Sequence, residues 1–217
     1  MRTLLTLFLA LIAGNAHALP TDGYQNCAIL SKTAPEKALA MADAWLREDR
    51  ALEALHCRAL SLFTLKRYTE AAKALEEVFT ETPPEEIVLS VNLLRQAARA
   101  HALAKDPSTA NQRFARAIGI LQAVRKPTPL THRLLAETLL ERGELLHKLG
   151  DKLAALQDMD FAVSLELLGE RALIVRAGLL TDMKQYDLAL KDAEAALRLA
   201  PQNIEARRML KKIAEKM

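Results

Sequence analysis

The sequence predicts an all-α fold, an α-solenoid of stacked helix-turn-helix units closed by a C-terminal capping helix. Three observations predict it. Apolar residues make up 51% of the 217 positions and charged residues 26%, enough to bury a core, while 7 Gly and 8 Pro are too few for a many-turned β-sandwich. A small residue recurs at Ala59, Ala98, Gly143 and Ala177, and again at Ala71, Ala110, Ala155 and Ala189. Both series step by 39, 45 and 34, so a constant offset of twelve separates them. Small residues at a helix crossing let two backbones approach, and large neighbours fill the space beside them. Finally, Ile204, Met209, Leu210, Ile213 and Met217 form an apolar stripe opposite Arg207, Arg208, Lys211, Lys212 and Lys216. One wet face on a last helix is what an open-ended stack needs for solubility.

The first element is an address. Met1-Arg2-Thr3 starts the chain with positive charge, Leu4 to Ala13 is apolar apart from Thr6, and Ala16-His17-Ala18 is a small-residue cleavage pattern. The ten-residue core is about half of what a helix needs to cross a ~30 Å hydrocarbon layer. Residues 1–18 are therefore expected to be a cleaved signal peptide, leaving a periplasmic or secreted chain from Leu19 with no membrane span. The formal charge of +3 on the whole chain is too small for a nucleic-acid footprint, so no nucleic-acid partner is expected. Cys27 and Cys57 are the only cysteines, and in an oxidising compartment such a pair reads first as a disulfide. Two buried free thiols are the alternative.

Residues 19–51 follow as a degenerate leading repeat, with Ala38, Ala42 and Trp45 in register with the second helix of a unit. Four clear copies then run 52–85, 91–124, 136–169 and 170–203, and 204–217 is the capping helix. Arg58, Arg142 and Arg176 precede the small residue of the first helix, where copy two has Ala97. Thr33-Ala34-Pro35-Glu36 and Thr82-Pro83-Pro84-Glu85 have capping-box spacing, which makes Thr33 and Thr82 the expected N-caps. Asp106-Pro107-Ser108, Gly150-Asp151 and Pro201-Gln202-Asn203 supply stops and new caps.

Copy one carries Leu55, Ala59, Leu62, Tyr68-Thr69-Glu70-Ala71 and Pro83; copy four carries Leu173, Ala177, Leu180, Tyr186-Asp187-Leu188-Ala189 and Pro201. This pattern resembles the tetratricopeptide repeat, a helix-turn-helix unit of 34 residues. The resemblance covers 52–203. It departs by five extra residues between copies one and two, by eleven between copies two and three, and by His101 at a usually large apolar position.

The resemblance implies that first helices line a concave face. The groove positions are then Glu53, His56, Leu60 and Phe63 in copy one, and Asn92, Arg95, Arg99 and Ala102 in copy two. Copy three supplies Glu137, Leu140, Glu144 and His147, and copy four Arg171, Ile174, Gly178 and Thr181. The candidate partner-binding set is Glu53, His56, Phe63, Asn92, Arg95, Arg99, Glu144, His147 and Arg171. Some family members grip a C-terminal carboxylate with Lys and Asn where this chain has His56 and Leu60, so that activity is not expected here. Successive first helices are neighbours in the family, which implies that Cys27 and Cys57 can meet.

Arg95 and Arg99 are four apart and have no acidic partner in their own helix. They are the expected electrostatic centre of the groove, with pairing to Glu137 or Glu144 of the next repeat as the alternative. On the first reading, reversing both charges abolishes partner capture and leaves stability nearly unchanged.

There is no Gly-rich phosphate loop, G-x-S-x-G, H-E-x-x-H or C-x-x-C, and no His lies one helical turn from another His or Cys. No catalysis, cofactor or metal is expected. The predicted function is an exported interaction module, an adaptor or scaffold holding an extended or helical segment of another envelope protein. The rival is a structural subunit of an envelope assembly, held by its convex face or ends.

Overall fold

The computed structural model describes residues 21–49 and 51–217; the expected leader, 1–18, lies outside them. The described residues form eleven α-helices and no strand. They are α1 (Thr21–Thr33), α2 (Pro35–Glu48), α3 (Leu52–Thr64), α4 (Tyr68–Glu81), α5 (Ile87–Leu103) and α6 (Pro107–Gln122), followed by α7 (Pro129–Lys148), α8 (Lys152–Ser164), α9 (Glu170–Asp182), α10 (Tyr186–Leu199) and α11 (Ile204–Ala214). Each helix packs on the next, and α1 also meets α3, α5 meets α7, α7 meets α9 and α9 meets α11. That is a solenoid of antiparallel pairs with α11 across its end. The leading segment forms a helix pair of its own, α1 and α2.

The recurrent small residues sit where each pair crosses. Ala59, Ala71, Ala98, Ala110, Ala155, Ala177 and Ala189 are fully buried. At Gly143 the approach of α7 to α8 is closest, since an added Cβ would lie 3.0 Å from Met159 Cγ and 3.2 Å from the Ala155 carbonyl oxygen. The arginines that precede the small residues fasten first helices to second helices. Arg142 reaches Asp158 through two bonds of 2.6 Å, Arg176 reaches Asp192 through two of 2.7 Å, and Arg58 lies 2.9 Å from Asp43.

The turn inside each of the four copies is built alike. Lys66, Lys105, Gly150 and Lys184 have positive φ, each seven residues beyond the small residue of its first helix. The next N–H in each case reaches back to the carbonyl of Leu62, His101, Leu146 or Leu180, the six-to-one bond of a Schellman ending. Asp106, Asp151 and Asn203 cap the helices that follow, accepting from the backbone N–H groups of Thr109, Ala154 and Ala206. The two expected capping boxes are corrected. Thr33 and Thr82 do not open helices; their hydroxyls donate back to the carbonyls of Ile29 and Val78, at the ends of α1 and α4. Pro35 still starts α2, whose N-cap Ala34 has no side-chain bond, and the real capping box is Thr128 with Thr131 at the head of α7.

The extra residues between copies lengthen helices. α7 has 20 residues and α5 has 17, against 13 in α3 and α9. One apolar cluster runs through α5 to α9 and a second through α3 to α5, so the stack is continuously packed across the Lys126–Pro129 joint. None of the described helices is long and apolar enough to cross a membrane.

Candidate docking groove on the first helices

The last turns of α5 and α7 flank an open groove of about 820 Å³. Its apolar lining includes Ala102, Leu103, Leu145 and Leu149, with Phe63 from α3 at one end. Leu103 and Leu149, each 50% exposed, stand together in this lining as an apolar patch. Arg99, Lys105, Lys148 and Arg171 supply its positive charges, and Glu141 and Glu144 its negative ones. A second lobe of about 270 Å³ shares Phe63 and Arg99 and extends to Lys32 at the end of α1. The geometry suits a chain laid across several helices, with apolar anchors below and charge at the sides.

Beneath it lies an ion network that joins α5 to α7. Arg95, only 6% exposed, is 2.9 Å from Glu137 and also bonds Glu141, while Asn92 accepts a longer bond of 3.4 Å. Arg99 donates to both oxygens of Glu141, its Nε at 2.8 Å. Burial of Glu141 favours its neutral form, but the Arg99 hydrogen bonds and the Arg95 charge outweigh it and hold the carboxyl below the usual range. The bond to Glu141 in turn raises Arg99.

The expectation of a free arginine pair is thereby corrected. Arg95 is a buried structural cation, and the alternative of pairing to the next repeat is what the structure has, with Glu137 in place and Glu141 instead of Glu144. Reversing Arg95 would set a new carboxylate against two others in a buried site, so stability would not survive it. Glu141 was missed because the groove positions carried over from the family skip it. A signal was present: Glu137 and Glu141, four apart on one first helix, complement Arg95 and Arg99, four apart on its neighbour.

Of the candidate partner-binding set, Phe63, Arg99, Glu144 and Arg171 come together in the groove, whereas Glu53, His56, Asn92, Arg95 and His147 do not line it. His56 is part of a chain across three first helices. Tyr24 Oη lies 2.7 Å from its Nδ1, and its Nε2 lies 3.3 Å from Gln96 Oε1. Burial lowers the His56 pKa, and the Gln96 bond opposes that only in part. His147 pairs with Asp182 at 3.1 Å, Asn92 turns to Arg95, and Glu53 is half-buried on the first turn of α3. Cys27 and Cys57, both fully buried, stand at disulfide distance between α1 and α3 with Cα atoms 6.0 Å apart. Among the described residues no cluster of three His, Cys, Asp or Glu could hold a metal.

A tetratricopeptide-repeat family model matches residues 170–203, the pair α9 and α10. That pair is a tetratricopeptide repeat. No curated protein matches the chain. Among solved structures, a thermophilic TPR protein of Thermus thermophilus is 22% identical with a TM-score of 0.55, over 88% of this chain and 99% of that one. YrrB, described as a TPR protein with an unusual peptide-binding site, is 16% identical with a TM-score of 0.59, over 91% and 92%. The apo form of RapI is 11% identical with a TM-score of 0.70, over 89% and 81%. At such identities the likeness to these structures is one of fold.

Proposed function

We propose that this tetratricopeptide-repeat protein is an exported, non-catalytic adaptor that docks an extended or helical segment of another envelope protein. The observation that carries the reading is the open groove with Leu103 and Leu149 half exposed on neighbouring first helices. An exposed apolar floor has no role in packing the stack and is ready to be covered by a ligand. A peptide-binding site described for YrrB, which shares the fold, supports the same use of the surface. Export is supported by the leader pattern of residues 1–18 and by two cysteines at disulfide distance. The test is photo-crosslinking in cells from position 103 or 149, with position 153 as the contrast, followed by fractionation and N-terminal sequencing. One protein captured from 103 and 149 alone, by a soluble envelope form beginning at Leu19, is expected; a cytosolic form retaining Met1 would overturn the export reading.

The rival, a subunit held by its convex face, is favoured by Leu153 on α8, 70% exposed, and Leu188 on α10. It predicts capture from position 153 instead.

A further inference from the structure

The reading of the groove as a docking site leaves open what kind of segment it takes, and the charges along it answer that. Glu141 is committed to Arg95 and Arg99, which removes it as an acidic determinant for a ligand. Among the described residues, Lys32, Lys105, Lys148 and Arg171 have no ion-pair partner and follow the groove from α1 to α9. Against these four stands Glu144, also without an ion pair. The groove therefore has an excess of unneutralised cations around an apolar floor.

Arg99 adds a shaped contact to that excess. Its Nε and Nη2 both go to Glu141, which fixes the guanidinium plane and leaves Nη1 without a hydrogen bond among the described residues. The side chain is 49% exposed, so this free edge is reachable from the groove. A guanidinium held on one edge by a buried carboxylate is pre-oriented to donate from the other, and little freedom is lost when it does.

We propose that the groove selects an acidic amphipathic segment of its partner: apolar side chains cover Leu103, Leu145 and Leu149, while carboxylates meet the open edge of Arg99 and the Lys148 and Arg171 heads. This deepens the docking reading and depends on it. A segment is favoured over a membrane surface because the apolar residues lie inside the groove, between cations borne on separate helices, where a flat layer of headgroups has poor access. The contact with Arg99 is also separate from the family's carboxylate grip, whose positions here are His56 and Leu60.

Selection from a random dodecapeptide display library against the purified protein tests the proposal. The recovered pool is expected to be enriched in Asp and Glu beside Leu, Ile or Phe, and one recovered peptide, labelled with fluorescein, serves as the anisotropy probe. Its affinity should fall about tenfold in Lys148→Glu/Arg171→Glu, the sum of several rim contacts each of modest strength, and fall again as salt is raised from 0.05 to 0.5 M. Selection on that double variant should lose the acidic preference. Leu103→Ser/Leu149→Ser should abolish binding of the probe, with the circular dichroism of both variants unchanged. A neutral or basic pool that still depends on Leu103 and Leu149 overturns the acidic preference while leaving the docking groove standing. A pool indifferent to Leu103 and Leu149 overturns both. Sedimentation of the protein with phosphatidylglycerol vesicles, lost in the charge-reversed variant, would also overturn the proposal and assign the cations to lipid.

Discussion

Replacing Glu141 by Gln removes one negative charge from between two arginines and keeps the volume of the side chain. The wild-type carboxylate accepts from Arg95 and, through both oxygens, from Arg99. The Arg99 share is small, because that side chain is half exposed and water can replace the bond. The Arg95 share is large. Its side chain is 8% exposed and would retain only Glu137, at 2.9 Å, and the long Asn92 bond. A bond to a charged group contributes about 1.5–3 kcal/mol, and losing one partner of a buried pair costs about 3–5 kcal/mol when nothing else compensates. With Glu137 still compensating, the expected loss is about 2 kcal/mol. For a chain of this size that is a fall in Tm of roughly 4–8 °C. The change should follow acid as well. The carboxyl is held below its ordinary 4.5, so its contribution is complete above that value and disappears as pH falls through the lowered one. Thermal melts by circular dichroism from pH 7 to pH 3, for wild type, Glu141→Gln and the unpaired control Glu144→Gln, make the measurement. The wild-type advantage over Glu141→Gln should narrow below pH 4.5, and Glu144→Gln should melt within about 1 °C of wild type at pH 7. A Glu141→Gln protein that melts like wild type at pH 7 would refute the reasoning and return Arg95 to the surface.

Lys184→Gly should stabilise the protein by about 1 kcal/mol, since a side chain at positive φ is strained there and glycine is not; a lower Tm than wild type would contradict this. His56 is held below its usual 6.5 by burial, so its contribution to stability is complete above pH 6.5 and is lost as pH falls towards the lowered value. The Tm difference between wild type and His56→Asn should shrink between pH 7 and pH 5.5, and a difference constant across that window counts against the buried neutral imidazole. Reducing the Cys27–Cys57 pair, 30 residues apart, should cost about 3–4 kcal/mol by the chain-entropy argument. Hydrogen exchange should then quicken first in α1 and α2, and uniform quickening along the stack would argue against a local clamp.

The repeats were legible because they obey a spacing that packing enforces: a side chain larger than alanine at the crossings of Ala59, Ala98 or Ala177 would push helices apart. Even the leading pair left its mark in Ala38, Ala42 and Trp45. The ion network was legible only in part: pairing with Glu137 stood as the alternative, but the central partner Glu141 did not, because charges that look unpaired along one helix found partners 42 and 46 residues away on another. Which turn of α7 faces Arg95 depends on how the two helices align in space, and composition along α5 carries no trace of that. The misplaced capping boxes have a simpler cause. A threonine next to proline can cap the coming helix or bond back into the one just ending, and Thr33 and Thr82 do the second.

The unequal helices have a consequence for how this chain can change. Measured from its small residue, the first helix of each of the four clear copies ends at the same distance, in the same left-handed step at Lys66, Lys105, Gly150 or Lys184. Measured the other way, α7 reaches fourteen residues back from Gly143 whereas α3 and α9 reach seven back from Ala59 and Ala177, about 10 Å more overhang. The stack thus has one ruled margin and one ragged margin. Leu103, Lys105 and Leu149 sit on the ruled side, while Leu89 and Leu130 stand exposed on the ragged one. Insertions of whole turns have a place to accumulate in which the phase of the repeats, and with it the spacing of residues across the groove, is left untouched.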